Sequence, residues 1–183
     1  MRFLAKIFFI VFLVSLILYI LLPNFSFPEP PSDALQSNEP ADTETPLRRA
    51  YFTNYTREEV MTHYKNQFTK SKILGVLLPT YRLNYPPEEA KEIIRDQTRS
   101  TFLEEIVHPF RESVFVNGFE PKDPKDTIFI RERSWRQKII VRFVPSSTLF
   151  RLALAIPTLF LLFVIFRNWE DFVRSLLRRT KNA

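Results

Sequence analysis

The chain has 183 residues, no cysteine, only two glycines and a formal net charge of +6. Without cysteine there is no thiol nucleophile, cysteine–zinc site, disulfide or lipoprotein-type acylation, and Gly75 and Gly118 alone cannot build a phosphate-cradling loop. The positive charge does not point to nucleic acid. Residues 23–46 carry five acids and no base, residues 48–148 carry 18 basic against 13 acidic residues, and the rest flanks two apolar runs.

The first run, Ile7–Leu22, is uncharged and follows Arg2 and Lys6. At 1.5 Å per residue it gives roughly 24 Å of helix, so to cross a hydrocarbon core of about 30 Å it must borrow Phe3, Leu4 and Ala5 while Lys6 snorkels. A cleaved signal peptide is the rival reading. The run ends in Pro23 with no small-x-small site close behind, which favours an uncleaved anchor over 1–22. Residues 23–47 follow, with six prolines and Glu29, Asp33, Glu39, Asp42 and Glu44. That composition predicts a disordered, semi-extended tether.

A folded region is expected over 48–146. Thr56-Arg57-Glu58-Glu59 has capping-box spacing, and Val60, Met61, Tyr64 and Phe68 follow on one helical face. Ile73–Leu78 reads as a strand ending at Pro79. Pro86-Pro87-Glu88-Glu89 opens a second helix with Ala90, Ile93 and Ile94 inward. Thr101–Phe119 reads as strand, broken or bulged at Pro109, with Val114–Gly118 ending in a turn. Ile128–Arg131 is expected to pair with Trp135–Val144 across Glu-Arg-Ser. In that second strand Trp135, Gln137, Ile139, Val141 and Phe143 share a core face, opposite Arg136, Lys138, Ile140 and Arg142. The order of elements makes a small two-layer α+β domain with a mainly antiparallel sheet.

The second apolar run, Leu152–Phe166, places a transmembrane helix over 147–167, with Arg151 in its first turn snorkelling to headgroups and Pro157 kinking it. Beyond it, Trp169, Phe172, Val173, Leu176 and Leu177 fall at i, i+3, i+4, i+7 and i+8, with Arg174, Arg178 and Arg179 mostly elsewhere. Residues 168–183 therefore read as a basic amphipathic helix lying in the membrane interface. Lys and Arg next to both runs put both termini in the cytoplasm and the middle outside.

No catalytic, cofactor or metal constellation is legible. His63 reads as solvent-facing and His108 as lying at a strand break, neither with a ligand at metal spacing. The acid pairs Glu88-Glu89 and Glu104-Glu105 read as solvated. The basic face of Arg131, Arg133, Arg136, Lys138 and Arg142 lacks interleaved aromatics, so it suits lipid phosphates or an acidic partner rather than single-stranded nucleic acid. The outline of span, outer domain and span resembles that of polysaccharide chain-length regulators. No motif is specific to them, however, the middle lacks their long helices, and no residue is carried over.

The expected function is that of a two-pass protein of the bacterial plasma membrane. Its outer domain would act as a non-catalytic binding or scaffolding module, with membrane lipids and an envelope or membrane protein as partners and no cofactor. Two alternatives stand beside it: a tethered envelope enzyme acting on lipid or glycan through Glu104, Glu105 or His108, and an accessory subunit of a transport or secretion assembly.

Overall fold

The computed structural model of the chain describes residues 2–70, 72–73, 75–86 and 100–181. Among them the chain is α+β, with three α-helices and a mainly antiparallel sheet. It divides into two units, 22–146 and the two terminal segments 1–21 and 147–183. The helix expected to open at Pro86, with Glu88, Glu89, Ala90, Ile93 and Ile94, falls outside the described residues.

Unit 22–146 is built on six strands: β1 (Leu35–Gln36), β2 (Arg48–Thr53), β5 (Tyr81–Tyr85), β6 (Phe102–Val107), β7 (Ser113–Phe119) and β10 (Gln137–Val144). Their spatial order is β1-β2-β10-β7-β6-β5, and every neighbouring pair is antiparallel. Helix α2 (Arg57–Lys70) packs on one face. It starts at the capping box as expected: Glu59 accepts from the Thr56 amide at 2.7 Å, and Thr56 Oγ1 accepts from the Glu59 amide at 3.3 Å. Val60, Met61, Tyr64 and Phe68 are all fully buried. Across from them lie Tyr51, Ile106, Val114, Val116, Ile139, Val141 and Phe143. The expected inward face of the last strand is thus correct for Gln137, Ile139, Val141 and Phe143, whereas Trp135 lies outside that strand.

The partner of that strand is not as expected. Ile128–Arg131 does not pair with the whole of Trp135–Val144. Instead β8 (Ile128–Ile130) closes with β9 (Arg133–Trp135) in a separate hairpin whose two-residue turn is Arg131-Glu132. Both turn residues have positive φ, 54° and 60°, as a type I′ hairpin turn requires and as Asn-Gly usually supplies. β10 then enters the sheet between β2 and β7. Ile73–Leu78 is likewise not one strand but a tight hairpin of β3 (Lys72–Ile73) and β4 (Val76–Leu77), with Gly75 at φ 81°.

β6 and β7 meet around Pro109 as expected, but Gly118 lies inside β7 rather than in a turn. An added Cβ there would stand 2.0 Å from the Phe102 ring, which is itself buried in the core. Gly118→Ala should therefore destabilise the domain by about 1–3 kcal/mol through overpacking. Denaturant unfolding of the full chain should show that loss, and Phe102→Leu in the same background should recover part of it.

The disordered tether predicted for 23–47 is the largest correction. This stretch is part of the domain. Phe25 and Phe27 pack on the core beside Phe68 and Phe143, with ring centroids 4.9 and 6.2 Å apart. Asp33 accepts from Thr53 Oγ1 at 2.6 Å and from the Asn54 amide at 2.7 Å. β1 extends the sheet, and Asp42 is buried against Ser37 at 2.6 Å. Low overall hydrophobicity conceals a few well-placed anchors.

Both ends of this unit lie at one end of the sheet. The row Val144–Ser113–Val107–Tyr81 marks that end in register. There the β6–β7 turn carries Arg111, which donates to the Leu22 and Pro23 carbonyls at 3.0 and 2.6 Å. The 120–136 stretch, with the β8–β9 hairpin, joins the opposite end, where Arg136 and Gln137 bond to Asn54 and Tyr55.

The other unit consists of α1 (Arg2–Leu21) and α3 (Thr148–Lys181). α3 contains a stretch, Thr148–Val173, long and apolar enough to cross a membrane, whereas the apolar part of α1, Lys6–Leu21, is shorter. The boundary expected at residue 167, between a span and a separate amphipathic helix, is absent: one helix runs through both segments and through Pro157. Thr158 Oγ1 donates to the Leu154 carbonyl at 2.7 Å, one turn back.

Candidate functional site

The polar groups of the domain fall into three separate places. The first is at the start of α2. Glu104, fully buried on β6, accepts from Arg57 Nε at 2.6 Å and from the Arg82 guanidinium. Arg82 also grips Glu58 with two bonds of 2.8 and 3.0 Å, and Arg57 reaches Asn84 at 3.0 Å. The bonds from Glu104 and Glu58 hold Arg82 firmly protonated, raising its already high pKa. The expectation that Glu104 and Glu105 are solvated is wrong. Alternation along β6 sends Glu105 to the other face, where Tyr85 donates to it and Phe115 stands opposite.

The second place is at the end of α2. His108 is fully buried in the β6–β7 turn. Its Nε2 donates to the Phe68 carbonyl at 3.2 Å, and its Nδ1 meets Glu112 at 3.0 Å. Arg111 pairs with the same carboxylate at 3.2 Å while holding Leu22 and Pro23. Burial pushes the Glu112 carboxyl up, but the His108 bond and the Arg111 charge outweigh it, and the net shift is downward. His63, expected in solvent, is half-buried and faces the Glu29 carbonyl at 3.0 Å and Gln67 at 2.7 Å. Among the described residues no group of three His, Asp or Glu could hold a metal ion.

The third place is the basic face, and it does not hold together as one surface. Lys138 is bound by Glu39 at 2.8 Å and Asp42 at 2.7 Å. Burial lowers its pKa, yet these two carboxylates more than reverse that and raise it. Arg136 is paired with Glu120 at 2.7 Å. Arg131 and Arg133 stand exposed on the β8–β9 hairpin, Arg133 over the Trp135 ring at 5.3 Å, with Phe129 exposed beside them. Arg142 is exposed near the other end of the sheet. The acids that neutralise Lys138 come from the segment predicted to be a tether, so the charge map could not be drawn from β10 alone.

No family model matches the chain, and no curated protein or solved structure matches it either. Function must be argued from these positions. Glu104, Glu105 and His108 do not converge. Glu104 and Glu105 lie on opposite faces of β6, and the α2 residues that bind Glu104 and His108, Arg57 and Phe68, are about 16 Å apart along the helix. Of the expected interface residues, Trp169 and Phe172 are exposed on α3, with rings 5.9 Å apart, and Val173 is half-buried. Arg174, Leu176, Leu177, Arg178 and Arg179 continue that helix, and their side chains fall outside the described residues.

Proposed function

We propose that the protein is a two-pass protein of the bacterial plasma membrane, with both termini cytoplasmic and the α+β domain outside as a non-catalytic binding or scaffolding module. The observation that carries this reading is the way the domain is held. Its two chain ends leave from the same end of the sheet, one continuing directly into α1 and the other reaching α3 within three residues. Both helices expose large apolar side chains, among them Phe8, Ile10, Leu18, Leu154, Phe160 and Leu161, which is the surface a bilayer covers. Ion pairs hold the start of α2 to the sheet, and the His108 bond to the Phe68 carbonyl holds its end. The exposed Phe129, Arg131 and Arg133 hairpin lies at the end of the sheet opposite the unit's two chain ends and suits an acidic partner.

The absence of native cysteine makes the topology simple to test. A Glu132→Cys variant should react with a membrane-impermeant maleimide in intact cells, and Asn182→Cys only after lysis. Reversal or equality of the two labels would overturn the topology. Arg131→Glu combined with Arg133→Glu should abolish co-purification of the partner in mild detergent, and a wild-type chain running alone as a monomer would count against the binding role.

A further inference from the structure

The β6–β7 turn presents Phe110 to solvent, 79% exposed, with a backbone φ of 60°. Neither property is explained by the domain's own needs. The ring makes no core, and glycine or asparagine would hold that backbone with less strain. The turn is otherwise tightly built: the Arg111 amide donates to the His108 carbonyl at 3.0 Å, and the His108 amide to the Glu112 carbonyl at 3.0 Å. Phe110 is therefore held outward on a rigid mount.

Its position gives it a role. Arg111, the next residue, grips the carbonyls of Leu22 and Pro23, where the chain leaves α1. The same end of the sheet carries other exposed apolar side chains. Tyr81 is paired with Val107, Val144 is paired with Ser113, and the Leu47 carbonyl accepts from the Phe143 amide. Tyr81 is 58% exposed, and Leu77, four residues before it, 61%. Arg142, exposed two residues before the end of β10, adds a cation. Apolar and aromatic side chains with an arginine set just behind them have the chemistry of a membrane–water interface, where rings enter the acyl boundary and guanidinium meets phosphate.

We infer that this end of the domain seats in the lipid headgroup layer, with Phe110 inserted into the acyl boundary and Arg142 on phosphate oxygens. The occupant is a lipid surface because the chain lengths allow little else. No residue separates Leu22 from α1, and Pro145–Ser147 alone separate β10 from α3. The inference rests on the membrane reading above, and the test separates the two.

Single-cysteine variants of the full chain at 110, 81, 129 and 161 would be labelled with an environment-sensitive fluorophore and reconstituted into vesicles containing anionic lipid. Some vesicles would also carry lipid spin-labelled near the headgroup or at mid-chain. Labels at 110 and 81 should shift to the blue and lose emission to the shallow quencher. The label at 129, an equally exposed phenylalanine position at the opposite end, should do neither, and 161 within α3 should be lost to the deep quencher. If 161 is quenched while 110 and 81 behave like 129, the seating is wrong and the membrane reading stands. If 161 also escapes quenching, both fall. A blue shift at 110 without quenching by either lipid would mean protein covers this end, and would likewise overturn the inference.

Discussion

Replacing Glu112 by glutamine should lower the stability of the domain by about 3–5 kcal/mol, the range expected when one partner of a buried ion pair loses its charge. The side chain is fully buried between Arg111 and His108. Glutamine keeps its shape but removes the Glu112 charge that faces Arg111 and His108 in the same enclosed place. Denaturant midpoints of the detergent-solubilised full chain would measure the loss, and a change below about 0.5 kcal/mol, the range of an ordinary surface substitution, would contradict it. The pH dependence supplies a second check. The folded Glu112 carboxyl titrates below its unfolded value of about 4.3. Its contribution is present above that value and disappears as pH falls through the folded pKa. The glutamine variant should therefore lose part of the acid limb of the stability profile.

A Phe25→Ala and Phe27→Ala double variant should be comparably damaging. Two half-buried rings together approach the burial of one core phenylalanine, whose removal costs about 3–5 kcal/mol. Phe25 lies against Phe68 and His108, and Phe27 against Phe143 and under the Arg49 guanidinium at 4.4 Å. In parallel, a protease specific for glutamate should cut the wild-type chain slowly at Glu29 and Glu39 and the double variant quickly. A free tether would be cut fast in both proteins and would show no stability change.

These two predictions mark where sequence reasoning reached and where it stopped. The α2 helix was legible because its signal is local: a capping box, then four apolar residues on one face. The inward face of β10 was legible for the same reason, since alternation needs no knowledge of a partner. What β10 pairs with was not. The chain turns back at Arg131-Glu132 without glycine or asparagine to mark the spot, so the turn was read one residue late, at Glu132–Ser134, and β9 merged with the strand after it. Glu104 looked like surface because its counter-charges, Arg57 and Arg82, lie 47 and 22 positions away. The 23–47 segment looked disordered because Phe25, Phe27, Asp33 and Asp42 each stand alone among prolines and polar residues. Each acts only through a distant partner, which composition averages away.

β10 sits between β2 and β7, bonded along both edges, and it is also the strand that continues into α3. Any tension carried along that helix would arrive first at the middle of the sheet. A strand at the margin can be peeled away one bond at a time, but this one must break two ladders together. Meanwhile the opposite tether is fastened through Arg111 to a turn on the neighbouring strands. A pull on the C-terminal end of this unit therefore meets two hydrogen-bonded ladders at once, and a pull on its N-terminal end meets the small ionic turn.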